Sequence, residues 1–343
     1  MKKYIGIIIS FAMIFVLTSC GYKQVNDKTD YEKVSITHTV SKPVVNSEDF
    51  NRVEVTEEFY VNPKKVVTFS WGVADVLSYF GIEELGIEIL GLPTEQSNIP
   101  NLIKELNDVN YEDAGTLHVI NYEKMKLLNP DLIILDGRTS SQYETIKDMF
   151  PYTNILDASS TNYNYENQKV IYNNLGEIFP DISEELNEKL TTFETSFNEV
   201  KELAKDFRAS VIMLNGNKKT YQKGAASRYG VVFREFGFVE AASEDTKYDD
   251  ITSHGHEITL EFISDINPEV IFLLDRNMVT NNQESDREFL KESIIADVDA
   301  VKNEYIFNLN PEAWYTVTGG IRATEQMIED VYAFVNTLND NNA

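Results

Sequence analysis

Apolar positions along this chain follow three spacings, and each predicts a different element. The first is an unbroken apolar stretch from Tyr4 to about Leu17. The second is a set of short apolar runs: Lys65 to Ser70, Leu132 to Leu135, Ser210 to Leu214, Val270 to Leu274 and Tyr305 to Leu309. Such runs predict strands buried on both faces, of the kind found in parallel sheets. The third is helical. Between Asp181 and Lys205, Leu186, Leu190, Phe193, Phe197, Val200 and Leu203 recur at three- and four-residue steps, without Gly or Pro. This predicts one long amphipathic helix, which Asp181 or Ser183 is placed to cap. Shorter helices are expected from Gly72 to Phe80, ending at Gly81, and from Tyr229 to Phe236, ending at Gly237.

Two of the strand runs belong to an internal repeat. Asn129-Pro130-Asp131-Leu132-Ile133-Ile134-Leu135-Asp136-Gly137-Arg138 reappears, at the same spacing, as Asn267-Pro268-Glu269-Val270-Ile271-Phe272-Leu273-Leu274-Asp275-Arg276. Each copy follows a short helical pattern (Tyr122 to Leu128, Leu260 to Ile266) with an acid at its second position, Glu123 or Glu261. Asn-Pro is expected to break the helix, because proline pushes the preceding residue out of the right-handed α region. Two copies with matched flanks predict two related α/β lobes, each with right-handed crossovers and a mainly parallel sheet. The expected architecture is α/β, with two Rossmann-like lobes joined by one long helix and a ligand in the cleft between them.

The first apolar stretch has another fate. It follows Lys2 and Lys3, is too short for a permanent span, and ends in Leu17-Thr18-Ser19-Cys20. That sequence matches the lipobox of bacterial lipoproteins, so residues 1–19 are expected to be a signal peptide. Cys20, the only cysteine, is then the lipidated residue, and palmitate is the implied acyl group. From Gly21 to about Asn51 the chain is polar and shows neither helical nor strand periodicity, which predicts a flexible tether over 20–52. The remaining stretch of about 290 residues exceeds one ordinary core. It divides into an N-terminal lobe (53–180), the joining helix (181–206) and a C-terminal lobe (207–343).

Charge narrows the function classes. The whole chain carries 30 basic and 56 acidic residues, a formal −26; without Lys2 and Lys3 it is −28. A nucleic-acid partner is excluded, and anionic lipid would repel the chain. An anionic ligand would need a local concentration of positive charge. Ligands of open α/β sheets bind beyond the carboxyl ends of the strands, where the repeat places Arg138 and Arg276. Arginine is scarce, with eight residues, and its planar head holds anions through several donors. A third arginine lies in Ser227-Arg228-Tyr229-Gly230, just ahead of a helix whose free backbone N–H groups are expected to face the same anion. The loop Thr252-Ser253-His254-Gly255-His256 holds two of the four histidines, and Asn310-Pro311-Glu312-Ala313-Trp314-Tyr315 follows the last strand. Taken singly, these read as a helix-capping loop and core aromatics; one imidazole and one phenol beside three arginines make a hard, anion-compatible iron(III) site.

These residues also carry a family resemblance. Pro63-Lys64-Lys65-Val66-Val67, the repeated Asn-Pro-acid strands and the single joining helix resemble the binding proteins of ABC importers for iron–siderophores, haem and cobalamin. Ser227-Arg228-Tyr229-Gly230, Ser253-His254-Gly255, Leu274-Asp275-Arg276-Asn277 and Pro311-Glu312-Ala313-Trp314-Tyr315 resemble the catecholate-siderophore branch, which includes enterobactin- and petrobactin-type binders. The resemblance runs from about residue 53 to the end. It implies that Arg138, Arg228 and Arg276 embrace catecholate oxygens, and that His254 and Tyr315 complete iron coordination. Ser253 departs from the family pattern, which has threonine there; His256 is an extra histidine ranked below His254.

Two catecholates give iron(III) four oxygens and leave two octahedral positions for imidazole and phenolate. A tris-catecholate needs no protein ligand. Trp71, Tyr229 and Trp314 are candidates for cleft lining. The cargo is thus expected to be a ferric catecholate siderophore, with a haem or cobalamin binder on the same scaffold as the alternative. The implied partners are an ABC permease with its ATPase, and the membrane through the lipid anchor; the chain itself is expected to be a monomer. No nucleophile–base–oxyanion set, phosphate-binding glycine loop or metal–water motif is present, so an enzyme is not expected. The location implied is the outer face of a cell membrane of Gram-positive type.

Overall fold

The computed structural model describes residues 32–45, 47, 49–95, 98–159, 163–225, 227–243 and 255–341. The expected leader, Cys20 and His254 lie outside the described residues.

The chain from Glu32 onward forms one compact unit built of two lobes. It opens with an antiparallel hairpin, β1 (Lys33–Pro43) and β2 (Phe50–Tyr60). The N-terminal lobe continues through β3 (Lys65–Thr68), α1 (Trp71–Phe80), β4 (Ile89–Leu92), β5 (Tyr111–Asp113), α2 (Tyr122–Leu128), β6 (Leu132–Leu135), α3 (Tyr143–Met149), β7 (Asn154–Asp157) and α4 (Tyr165–Ile178). Its sheet has the order β5-β4-β3-β6-β7, with every pair parallel. After α5 (Ser183–Ala204) comes the C-terminal lobe: β8 (Arg208–Asn215), β9 (Lys218–Tyr221), α6 (Val231–Arg234), β10 (Val239–Glu240), β11 (His256–Glu257), α7 (Leu260–Ile266), β12 (Val270–Asp275), α8 (Arg276–Asn281), α9 (Asp299–Lys302), β13 (Ile306–Leu309) and α10 (Ile321–Asn341). This sheet has the order β11-β9-β8-β12-β13, with β10 parallel to the start of β8. The pairs β8–β12 and β12–β13 are parallel, while β9 runs antiparallel to both β8 and β11.

Successive strand residues point to opposite faces, and both faces are covered. Leu132 and Ile134 join one apolar core, Ile133 and Leu135 another. In β12, Phe272 and Leu274 face the first core, and Ile271 and Leu273 a third. The first core is shared by the lobes. It includes Leu186, Leu190, Phe193, Phe197 and Val200 of α5, the apolar stripe of the sequence. Helix α5 begins differently from expectation: neither Asp181 nor Ser183 caps it through a side chain, because Pro180–Ile182 form a 3-10 turn that leads straight into it.

The tether reading is corrected. Residues 33–60 form an ordered hairpin whose inner face (Ile36, His38, Val40 and Phe59) is buried against the N-terminal lobe. The alternation was hidden because two polar side chains share that face. His38 sits among the Phe59 and Tyr143 rings, and the Glu57 carboxylate accepts from the Tyr143 hydroxyl at 2.9 Å.

The repeat acquires a mechanical meaning. Asn129 (φ 48°) and Asn267 (φ 38°) end α2 and α7 in the left-handed conformation. Proline therefore excludes the right-handed α region but sends the asparagine to αL rather than to extended backbone, a conformation asparagine tolerates better than most residues. The acid that follows fastens the neighbouring strand. Asp131 accepts from the Lys64 and Lys65 N–H groups at 3.0 and 2.9 Å, and Glu269 accepts from the Arg208 N–H at 3.0 Å.

Candidate functional site

The repeat delivers an arginine to the carboxyl end of one strand in each sheet. After β6, the Asp136 carboxylate accepts from the Arg138 N–H at 3.2 Å, which tightens the turn. After β12, Asp275 likewise accepts from the Asn277 N–H at 3.2 Å and starts α8, with Arg276 as its first residue. Both arginine side chains are half-buried.

Tyr315 sits at the centre of the C-terminal group. It lies on the π-helical turn Glu312–Thr316, closed by the Val317 N–H donating to the Glu312 carbonyl at 2.8 Å. Single π turns of this kind recur at functional sites. The turn is anchored from below by Asp330 of α10, which accepts from the Asn310 N–H at 2.6 Å and from the Trp314 indole at 2.8 Å. Burial raises the Asp330 carboxyl, and those donors pull it back down.

Two guanidinium groups converge on Tyr315. Arg276 donates from Nε to the phenol oxygen at 2.8 Å. Arg228 donates from Nη2 to the Tyr315 carbonyl at 2.8 Å, and its guanidinium carbon stands 4.1 Å from the ring centroid. Among the described residues, neither arginine has a carboxylate within ion-pair distance, whereas Arg52, Arg208, Arg234, Arg287 and Arg322 each do. Arg138 has only a loose partner, Asp136 at 3.4 Å. The Tyr229 phenol lies beneath the group, where burial raises it well above its ordinary range. The charges of Arg228, Arg276 and Arg138 all pull it the other way. Arg228 and Arg276 thus meet at Tyr315, while Arg138 follows the corresponding strand of the N-terminal lobe.

Other expectations are redistributed. Trp71, Tyr229 and Trp314 are each 1% exposed, so they form a packed floor within the core shared by the lobes instead of lining a cleft. The backbone N–H groups of Gly230, Val232, Phe233 and Arg234 all donate to nearby carbonyls. Those four amides of the one-turn α6 are therefore engaged, and the polar contact this motif makes with the Tyr315 turn is through the Arg228 side chain. His256 lies buried in β11, in register with Tyr221.

Nothing local marks the residues that tie the lobes together. Glu312, on the Tyr315 turn, accepts from the Asn101 N–H and side-chain amide, both at 3.0 Å, and from the Leu102 N–H at 2.8 Å. Asp75, fully buried in α1, accepts from Arg322 Nη1 at 2.7 Å and from the Ala323 N–H at 3.1 Å, capping α10 from the other lobe. Gly320 makes room for it: a Cβ there would stand 2.2 Å from Asp75 Oδ2. Each pair is separated by more than 200 positions, so no local pattern reveals it.

Comparison with known proteins agrees with this architecture. The sequence pattern of the family described as Periplasmic binding protein matches residues 68–313. The chain is 30% identical over 336 residues to the petrobactin-binding protein YclQ of Bacillus subtilis, covering 96% of this chain and 98% of that protein. The crystal structure of YclQ superposes with a TM-score of 0.69 at 26% identity, covering 87% of this chain and 99% of the other. The periplasmic catecholate-siderophore binding protein VctP of Vibrio cholerae superposes with a TM-score of 0.69 at 25% identity, covering 86% and 100%. Two lobes, a strand-end site and a match across most of the chain make this a member of the periplasmic binding protein family, whose members bind a solute and do not transform it.

Proposed function

We propose that this chain captures a ferric catecholate siderophore and delivers it to an ABC permease driven by its ATPase. The observation that carries the reading is the convergence of Arg228 and Arg276 on Tyr315, free of carboxylate partners among the described residues. In a chain of net charge −26, such a group is a local reversal of sign. A ferric catecholate is a compact anion with outward oxygens, and guanidinium donors in a partly desolvated cleft match it in charge and geometry. The similarity to a petrobactin-binding protein and a catecholate-siderophore binding protein supports the same class of cargo.

For a tetradentate bis-catecholate, Tyr315 supplies phenolate and His254 imidazole to the two iron positions left open, while Arg138 closes over the anion from the other lobe. For a hexadentate tris-catecholate the arginines act alone. Lipid on Cys20 holds the protein at the outer face of the cell membrane, where an untethered binding protein would diffuse away.

The test is titration of the apo protein with ferric bis- and tris-catecholate complexes, following protein fluorescence and the ligand-to-metal charge-transfer band. Saturable quenching is expected for both, with a spectral shift only for the bis-catecholate. No response to either complex, together with a Soret shift on adding haem, would overturn the proposal.

A further inference from the structure

We propose that the N-terminal hairpin is a working part of the binding site, with Arg52 as the positioning residue that holds the Arg138 loop at the cleft. The inference rests on the reading that Arg138 meets the bound anion.

Arg138 has little to hold it locally. Its guanidinium is 3.4 to 3.5 Å from the Asp136 carboxylate, beyond a good charge-assisted hydrogen bond. What fixes the loop is its far side. Thr139 is fully buried and Ser140 is 4% exposed, and both N–H groups donate to the Asp136 carbonyl, at 2.9 and 2.8 Å. The Ser140 hydroxyl lies 2.6 Å from that of Ser41 in β1, and it donates to Asp157 at the end of β7. Arg52 Nη1, from β2, reaches Ser140 Oγ at 2.6 Å, Asp157 Oδ2 at 2.6 Å and Ser41 Oγ at 3.1 Å. Its Nη2 donates to the Thr39 carbonyl at 3.0 Å. One guanidinium therefore joins both hairpin strands, the end of β7 and the loop two residues beyond Arg138.

The Asp157 side chain is fully buried, and Arg52 is its charge partner. Without Arg52 that carboxylate keeps the Ser140 and Ser159 donors but loses its positive partner at a buried position, which costs more than the pair contributes. The cheapest relief is to admit water at the Ser140 contact, and that frees the loop. Lysine in place of Arg52 keeps a positive charge for Asp157. It cannot serve Ser41, Ser140, Asp157 and Thr39 together, because it lacks the planar fork.

The experiment combines ligand-free hydrogen exchange with a double-mutant cycle read by ferric bis-catecholate affinity. In the ligand-free protein, Arg52→Ala and Arg52→Lys should both accelerate exchange of the 136–142 amides, while the wild-type chain protects them. Arg52→Ala should weaken binding about tenfold in the wild-type and Arg228→Ala backgrounds, and hardly at all in the Arg138→Ala background. A purely structural hairpin staple would lower the melting temperature and give the same affinity loss in all three backgrounds; that result overturns the inference. Unchanged exchange at 136–142 in both variants overturns it as well. If the wild-type protein binds no ferric catecholate, the proposed cargo is wrong, and the exchange comparison alone still decides whether Arg52 holds the loop.

Discussion

Arg276 Nε stands 2.8 Å from the Tyr315 phenol oxygen, so the side chain proposed to ligate iron is already held by one of the arginines proposed to bind the chelator. Cargo and arginine compete for the same oxygen, or share it. Arg276→Ala should weaken ferric catecholate binding roughly ten- to a hundredfold, the equivalent of one or two charge-assisted hydrogen bonds. Tyr315→Phe keeps the ring under Arg228 and removes the oxygen. It should alter the charge-transfer spectrum of a bound bis-catecholate and leave that of a tris-catecholate nearly unchanged. Equal effects on both complexes would rule out ligation by this phenol.

Glu312 links the same turn to the opposite lobe through the Asn101 and Leu102 N–H groups. Glu312→Ala should speed cargo release several-fold, at a cost of about 1–3 kcal/mol in stability for the acceptors lost. Glu312→Gln, which keeps one acceptor oxygen, should fall between. Stopped-flow release measured beside thermal melts would expose a variant that melts lower yet releases at the wild-type rate, and that would remove Glu312 from any part in closure.

Asp75 predicts a pH dependence of unusual sign. Burial raises its carboxyl from 3.8 to about 6, outweighing the Arg322 side chain and the Ala323 N–H, which act to lower it. The folded chain thus keeps this proton to higher pH than the unfolded chain does. Its contribution to stability is complete below about pH 4 and is lost as pH rises through about 6. Relative to wild type, Asp75→Asn should gain on the order of 3 kcal/mol between pH 4 and pH 7. Denaturant melts of both proteins across that range decide it: a gap that stays level or moves the other way would mean the Arg322 pair prevails.

The two left-handed asparagines offer a backbone test. At each position alanine should be about 1–2 kcal/mol less stable than glycine, because both lack the asparagine amide and only alanine brings a Cβ that crowds the following carbonyl in the αL region. A matching alanine–glycine difference at the two sites, measured by chemical denaturation, is expected from their matching backbone; Asn267 loses in addition its two bonds to Asp299 in either variant.

The hairpin predicts a sharp boundary for truncation. A chain starting at residue 32 keeps the whole hairpin. Starting at residue 61 removes the buried Ile36, Val40 and Phe59 side chains together with Arg52. Each apolar side chain is worth about 1.5–3 kcal/mol, so the melting temperature should fall by more than about 10 °C. Identical melting of the two chains would return residues 33–60 to the role of a tether.

Much of the fold was legible because its causes are local. A four- to six-residue apolar run flanked by Asn-Pro and an arginine reports a buried parallel strand through its own composition, and the α5 stripe reports a helix through its spacing. Arg138, Arg276 and Tyr315 were singled out by the rule that ligands meet strand carboxyl ends, and Arg228 by its place just ahead of a helix. The hairpin was not legible, since His38 and Glu57 interrupt an alternation that only Val34, Ile36 and Val40, or Val53, Val55 and Phe59, would have shown. Nor was the floor: Trp71 and Trp314 have side chains suited to a cleft wall, and only packing against the shared core decides that they are covered.

The sequence by itself determined five of the parallel strands, that two of them repeat, and which arginines follow those two, because periodicity and proline act over a few residues. The tertiary structure decided what those arginines meet. Tyr315 lies between Arg228 and Arg276, Glu312 and Asp75 join the lobes, and Arg52 backs the Arg138 loop from a segment nearly ninety residues earlier. Such pairings depend on how two sheets and a hairpin stack, and a guanidinium carries no mark in sequence of the carboxylate it will find.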